Sequence, residues 1–350
     1  MVTYALLTNP GHNRVYYEES KKLAAGELQL ALTKLSISCS DVKSDYIAGV
    51  HYVVFSASDD LSEEDIAVIG MLSFVYAIFE IKKTRGLILL LPIMKINNRY
   101  IDENIGTILK YTGKTNELFT RMMINIALFC SDFSHLNQIR LLDPVAGKGT
   151  TLFEGLVFGY DVYGIEIGEK IVSEAYHFLK KYLETEKYKH TVKTEKVSAP
   201  DKAFKVIRHS FDIAKTKEEQ KGGNLKHVEL IAGNSANTDK FFKKNFFHLI
   251  VGDLPYGVQH GNVTNEKQSS LTRNPKELLN ACLPAWYRTL MNGGTLVLSW
   301  NLLVLPRENM VSLLNKSGFT VIDGDSLMNF RHRVDRSINR DIVVAKKTRR

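Results

Sequence analysis

The run LIVGDLPYG, residues 249–257, sets a carboxylate, a proline and an aromatic ring at the end of what reads as a buried strand. Leu249, Ile250 and Val251 suit an interior, whereas Asp253 carries a charge that a strand core excludes. The chemistry that such a group could do is specific. An exocyclic amine on a nucleobase is a weak nucleophile, because its lone pair is delocalised into the ring. A carboxylate and a backbone carbonyl accepting its N–H bonds would orient that lone pair and stabilise positive charge developing on nitrogen. Pro255 fixes a turn that aims the Leu254 carbonyl outward, Tyr256 offers a flat face to a base drawn out of its stack, and Gly257 leaves room. The plainer reading is a turn in which Asp253 caps the segment that follows.

A second stretch, DPVAGKGTT at 143–151, falls between a strand and a helix, where phosphate-binding loops also occur. A nucleotide P-loop follows its lysine with Ser or Thr, but Lys148 is followed by Gly149. A dinucleotide turn wants a third glycine at position 152, which is Leu, and would not welcome Asp143 beside a pyrophosphate. A ligand with a positive end would welcome that carboxylate. S-adenosylmethionine carries an ammonium and a sulfonium and no phosphate, and Gly147 and Gly149 would let the backbone approach it. A tight helix-capping turn without a ligand stays open for this stretch alone. Glu166, 23 residues after Asp143, ends the next strand where an acidic residue accepts from ribose hydroxyls in nucleoside-binding α/β folds. Asn234, at the end of a third strand, is placed to read an adenine edge, and is also a good turn residue.

These residues need a sheet that brings strand ends together. From about residue 139 strand-like and helix-like segments alternate, which implies parallel βαβ units. The pattern predicts strands at 139–144, 161–167, 228–234, 247–253, 293–301, 318–324 and 340–346, with helices at 119–131, 150–159, 169–188 and 275–291. The fold class is therefore α/β, a Rossmann-like seven-stranded sheet that binds ligands at the carboxyl ends of its strands. Residues 189–227 interrupt it with a polar insert, either a surface excursion or a substrate-contacting arm. The first 110 residues read as a smaller α+β domain, with helices at 21–35 and 62–81, strands at 46–56 and 86–94, and a junction within 95–115. Ser62 and Asp65 open its second helix. Residues 111–350 form the larger domain.

Composition bounds the partners. Apolar residues make up 44% and charged residues 24% of the 350, the balance of a folded globular chain rather than a disordered one. No apolar run is long enough to span a bilayer, and the start MVTYALLTNPGHNR lacks the pattern of a signal peptide. Cys39, Cys130 and Cys282 lie far apart, which argues against a disulfide framework and a cysteine-rich zinc site. A cytoplasmic protein without metal or membrane attachment is expected. The net charge is +8, and the excess lies after residue 110, with 35 Lys/Arg against 25 Asp/Glu. It is densest in RHRVDRSINRDIVVAKKTRR, where Arg331, Arg333, Arg336 and Arg340 would contact nucleic-acid phosphate or simply be solvated.

DPVAGKGT followed by GIE, GN and DLPYG resembles the class I S-adenosylmethionine-dependent methyltransferases that modify nucleobase amino groups. The DLPYG form is most similar to the tRNA guanosine-N2 methyltransferases, whose catalytic domain usually follows a THUMP RNA-binding domain. The resemblance spans about 111–346 and includes YTGKTNELFTRMMINIAL (111–128), which in this family precedes the first strand and helps cover the cofactor. It implies a class I methyltransferase sheet, S-adenosylmethionine as cofactor and RNA, foremost tRNA, as partner. It assigns Asp143, Ala146, Gly147, Gly149, Thr150, Glu166, Ile167, Asn234 and Ser235 to the cofactor, and Asp253, Leu254, Pro255 and Tyr256 to the target base. The N-terminal region is shorter than the family's usual one, which implies an abbreviated or diverged THUMP-like module, and Asn234 replaces the more usual acidic residue. Two other functions compete: amino-methylation of adenine or cytosine in DNA, and a cofactor-binding RNA assembly factor with little turnover. Methylation at pyrimidine carbon 5 is disfavoured, since no cysteine lies in or beside 253–257.

Overall fold

The computed structural model describes residues 1–9, 14–111, 113–198, 205–256, 275–324, 330–334 and 337–348, with 14–20 described in backbone only. The chain divides into two compact units, Met1–Asn98 with Asp323–Arg340, and Arg99–Ile322 with Asp341–Arg350.

The first unit is built on a five-stranded sheet. In chain order it contains β1 (Val2–Thr8), α1 (Arg14–Leu32), β2 (Cys39–Ile47), β3 (Val50–Ala57), α2 (Glu63–Gly70), β4 (Val75–Thr84) and β5 (Leu87–Ile93). The strand order is β2-β3-β1-β4-β5, every pair antiparallel. Two expectations are corrected here. The strand expected at 46–56 is a hairpin: Ala48 (φ 50°) and Gly49 (φ 79°) both take left-handed backbone between β2 and β3, as a two-residue turn requires. The helix expected across 62–81 stops at Gly70. Ser62 and Asp65 do form a reciprocal capping box at its start, but VYAIFEIKKT then pairs with β1 on one side and β5 on the other. A continuous apolar run does not distinguish helix from strand by itself, and pairing on both edges decides it.

The second unit carries the larger sheet. Its elements are α3 (Asn104–Ile108), α4 (Glu117–Cys130), β6 (Arg140–Asp143), α5 (Thr150–Val157), β7 (Asp161–Glu166), α6 (Glu169–Thr185), β8 (Lys189–Ser198), β9 (Lys205–Ala214), α7 (Lys217–Lys221), β10 (Lys226–Ala232), α8 (Thr238–Phe241), β11 (Phe247–Asp253), α9 (Pro275–Thr289), β12 (Leu290–Asn301), α10 (Arg307–Lys316) and β13 (Thr320–Val321). β14 (His332–Arg333) and the first two residues of β15 (Asn339–Lys346) fall in the segment grouped with the first unit, and the rest of β15 falls in the second. Nine strands run in the order β13-β15-β12-β11-β6-β7-β10-β9-β8, and β14 pairs with the start of β15. The pairs β12–β11, β11–β6, β6–β7 and β7–β10 are parallel, so their carboxyl ends share one edge.

The seven strands expected after residue 139 are all present, with the sixth cut to two residues. The insert is where the expectation fails. Residues 189–198 and 205–214 are not an excursion from the sheet but two further strands, β8 paired antiparallel to β9 and β9 antiparallel to β10. Phe211 and Ile213 are fully buried, and the Tyr176 ring of α6 lies 4.3 Å from His209 and 5.5 Å from Phe211. Apolar side chains on alternate positions thus fasten the polar hairpin to α6.

An ion cluster, buried at Arg121 and Glu154 and open at Glu103, joins α4 to α5. Arg121 donates from both Nε and Nη2 to a Glu154 carboxylate oxygen at 3.0 Å, and its Nη1 meets Glu103 at 2.6 Å. Glu154 is wholly buried. α4 packs against α5, and residues 113–116 lead directly into α4.

Candidate active site

Four parallel strand ends bring Asp143, Glu166, Asn234 and Asp253 to one edge. Two adjoining cavities open there. One, of about 160 Å³, is lined by Glu166, Ile167, Asn234, Ser235 and Cys282 among others. The other, of about 220 Å³, is lined by Tyr111, Thr115, Asp143, Gly147, Thr150 and Tyr256 among others. Val145, Asp253 and Pro255 border both, so Asp253 stands where the two meet.

The glycine turn shapes the second cavity. Gly147 (φ 51°) and Gly149 (φ 93°) adopt left-handed backbone, and Gly149 is the N-cap of α5 without a capping side chain. A Cβ on Gly147 would meet nothing within 4 Å, so its conformation, not crowding, calls for glycine. Ala146 is buried and fixes the turn by donating its N–H to the Ile165 carbonyl at 2.9 Å. Thr150 Oγ1 lies 3.3 Å from the Tyr111 hydroxyl.

Carboxylates dominate the cleft. Asp143 is buried, accepts from the Val145 N–H at 3.0 Å, and has its pKa pushed up to about 7 by burial, with Asp253 and Glu166 adding repulsion. Glu166 accepts from the N–H of Gly147 at 3.1 Å and of Gly168 at 2.9 Å, which ties the turn to the end of β7. Burial raises its pKa against those N–H donors. Lys148, at the place a phosphate-binding lysine would take, turns instead to Glu174 at 2.7 Å and lies 4.8 Å from the centre of the Tyr111 ring. The charge of this cleft suits a cation and not a phosphate.

Asn234 is exposed and uses its Oδ1 to accept the Ala236 N–H at 2.9 Å, capping a short 3₁₀ turn while it lines the first cavity. The turn reading of this residue is the one the hydrogen bonding shows. Ser235 is buried and accepts from Trp286 Nε1 at 3.1 Å. Cys282 faces the same cavity, yet burial pushes its thiol up to about 12, so it stays protonated and is no nucleophile.

At Asp253 the structure adds residues that the sequence reading did not single out. Thr115 Oγ1 donates to Oδ2 at 2.5 Å, the Tyr256 hydroxyl reaches Oδ1 at 2.5 Å and Oδ2 at 2.6 Å, and Ser299 donates to Oδ1. Leu254 is buried, with its N–H donating to the Ser299 carbonyl at 2.9 Å. Ser299 is the register partner of Asp253 on β12. Its signal was legible as the polar break in TLVLSW; Thr115 lies in the 111–128 segment, where nothing marks it out from its neighbours. Tyr256 was expected to stack a base. What the structure shows is its hydroxyl donating to Asp253, a contact that the residue type alone does not announce.

The expected phosphate-contacting arginines fare unevenly. Arg331 and Arg333 are exposed, and Arg336 lies outside the described residues. Arg340 is a correction: β15 carries it into the interior, 6% exposed, where it cannot offer its guanidinium to a phosphate chain. All four positions fall in the segment that groups with the first unit.

Among the described residues no cluster of three or more His, Cys, Asp or Glu is placed to hold a metal ion, and no helix is long and apolar enough to cross a membrane. No family model and no curated protein matches this chain. Solved structures similar to it include an rRNA methylase from Streptococcus thermophilus, at 12% identity over 65% of this chain and 96% of that one, with a TM-score of 0.34. Another is 1,6-didemethyltoxoflavin-N1-methyltransferase from Burkholderia thailandensis, solved with S-adenosylhomocysteine, at 15% identity over 67% and 80%, with a TM-score of 0.35. A third is geranyl diphosphate C-methyltransferase from Streptomyces coelicolor, at 12% identity over 65% and 81%, also with a TM-score of 0.35. At these identities and scores the likeness does not reach substrate or site, and the strand order and the cleft carry the reading that follows.

Proposed function

We propose that this chain is an S-adenosylmethionine-dependent methyltransferase acting on an exocyclic amine of RNA, foremost guanosine N2 in tRNA. The observation that carries the proposal is the position of Asp253, in a DLPY turn, at the junction of two cavities that between them present Glu166, Asn234, Asp143 and the glycine turn. The donor set fits the cofactor. A half-buried carboxylate and an apolar wall suit an adenosine, and a buried carboxyl beside a phosphate-free glycine turn suits an ammonium group. When bound, S-adenosylmethionine supplies an electrophilic methyl group on a sulfonium.

The chain's own residues do the rest. Glu166 accepts from ribose hydroxyls, and Asn234 and Ile167 border the adenine. Asp143, Ala146, Gly147, Gly149 and Thr150 enclose the methionine end. Asp253 and the Leu254 carbonyl accept the two N–H bonds of the incoming amine, which turns its lone pair toward the methyl donor and stabilises charge that develops on nitrogen. Pro255 fixes that carbonyl and Tyr256 presents its ring to the base. Arg331 and Arg333 are exposed cations for the RNA backbone.

Incubating the protein with labelled S-adenosylmethionine and, in parallel, bulk RNA or DNA, then separating nucleosides by mass spectrometry, tests this directly. Label in N2-methylguanosine is the expected result. Label only in N6-methyladenine or N4-methylcytosine of DNA would keep the chemistry and replace the substrate, and binding without transfer would leave a cofactor-binding RNA factor.

A further inference from the structure

We propose that Asp253 is held by a hydroxyl clamp in which Thr115 and Ser299 are fixed positioning residues and the Tyr256 phenol is a displaceable arm that the target amine replaces. This rests on the amine-methylating reading above.

The geometry separates the three donors that the described residues supply. A carboxylate offers about four lone-pair sites. Thr115 binds one oxygen and Ser299 the other, while the Tyr256 hydroxyl straddles both, at 2.5 and 2.6 Å. A donor that straddles two oxygens sits in front of the carboxylate, and that is the direction from which an amine N–H must come. The phenol thus stands where the substrate's hydrogen would stand.

The anchors of the three donors differ in kind. Ser299 is held by strand register, directly opposite Asp253 on β12. Thr115 immediately precedes Asn116, whose side chain caps α4 by accepting from the N–H of Leu118 at 2.9 Å and of Phe119 at 3.1 Å. Ser299 thus sits within a strand, and Thr115, itself outside any helix or strand, adjoins the capped start of α4. Tyr256 lies beyond the end of β11, outside any helix or strand, its carbonyl accepting from Asn301 Nδ2 at 3.5 Å. Turning its side chain breaks no backbone pairing, and the ring that leaves the carboxylate becomes available to the base. With the phenol gone, Thr115 and Ser299 still hold both oxygens, so the carboxylate keeps its orientation while the amine binds. Removal of either fixed donor should cost the transition state more than cofactor binding, because Ser299 lines neither cavity and Thr115 lines only the one beside Asp143.

Two measurements test the clamp. In the first, the protein is labelled with ¹³Cζ-tyrosine and the Tyr256 resonance is assigned with Tyr256→Phe. Asp253→Ala should shift that resonance, and an unshifted resonance would overturn the phenol–carboxylate contact whether or not the protein turns over RNA. In the second, steady-state kinetics on tRNA are run beside calorimetry with S-adenosylhomocysteine. Thr115→Val and Ser299→Ala should each lower kcat about tenfold or more, the scale of one lost hydrogen bond to a charged acceptor. Affinity for S-adenosylhomocysteine should stay within about twofold in Ser299→Ala, which also certifies its fold; in Thr115→Val any weakening should be smaller than the loss of kcat, and Thr115→Ser should restore most of kcat. Tyr256→Phe should lower the KM for tRNA several-fold, because a competitor for Asp253 has been removed. Wild-type kcat in Thr115→Val, failure of Thr115→Ser to rescue it, or an unchanged or raised tRNA KM in Tyr256→Phe would overturn the proposal. A shifted Tyr256 resonance together with no transfer by the wild-type protein would instead locate the failure in the amine-methylating reading.

Discussion

Glu166 and Asp143 are both carboxylates in one cleft, and their surroundings give them different tasks. Glu166 accepts two backbone N–H bonds that favour its charged form and remains available on its cavity side. Glu166→Ala should weaken S-adenosylmethionine binding by about 1.5–3 kcal/mol, the cost of losing hydrogen bonds to a charged acceptor. Calorimetry on the folded variant checks this. Asp143 titrates near 7 rather than the ordinary 3.8, because burial penalises its charge. The native state therefore holds a proton between those two pH values that the unfolded chain has released, so unliganded stability falls as pH rises through that window and levels off above about 7. A cationic ligand reverses the preference. Cofactor affinity should fall as pH drops below about 7, by up to tenfold per unit, and Asp143→Asn should abolish that dependence. A pH series of binding titrations on both proteins reads the difference. These two residues were legible in the sequence because an acidic group at a strand end stands out against apolar neighbours. Thr115 was not, since a hydroxyl in a polar segment carries no pattern, and only the fold brings it across 138 positions to Asp253.

At the scale of elements, legibility followed how much a segment's pattern depends on distant partners. β11 was read to the residue, as 247–253, because a buried parallel strand is a continuous apolar run bounded by polar residues. The βαβ alternation around it was read equally well for the same reason. β8 and β9 were missed because an edge hairpin needs apolar residues on one face only, and its lysines read as an excursion. β4 was taken into a helix because its apolar run has no period of its own, and its two neighbouring strands decide the matter. The ion cluster under α5 was also invisible, being assembled from residues 103, 121 and 154. Its removal has a defined cost. Arg121→Met leaves Glu154 buried without its guanidinium, and breaking one partner of such a pair typically costs about 3–5 kcal/mol. Denaturant unfolding measures it, and because α4 follows residues 113–116 and α5 follows the glycine turn, cofactor affinity should weaken alongside.

The whole molecule sets an acidic cleft within a chain of net charge +8. The interior carboxylates suit a cationic cofactor, and the surface excess suits a polyanionic substrate held by its backbone. RNA affinity should therefore fall steeply with salt, and neutralising Arg331 and Arg333 together should flatten the log–log slope by about 1.4 if each contacts one phosphate of a single strand. Filter binding across a salt series gives that slope, and an unaltered slope in the folded variant would remove these arginines from the RNA surface. What the molecule makes is tested most directly by nucleoside mass spectrometry of tRNA incubated with labelled S-adenosylmethionine and either the wild-type protein or Asp253→Ala. Label in N2-methylguanosine with the wild type and none with Asp253→Ala, while calorimetry shows the variant folded and still binding S-adenosylhomocysteine, is the expected result. Full transfer by the folded Asp253→Ala protein would contradict the amine-orienting role of that carboxylate.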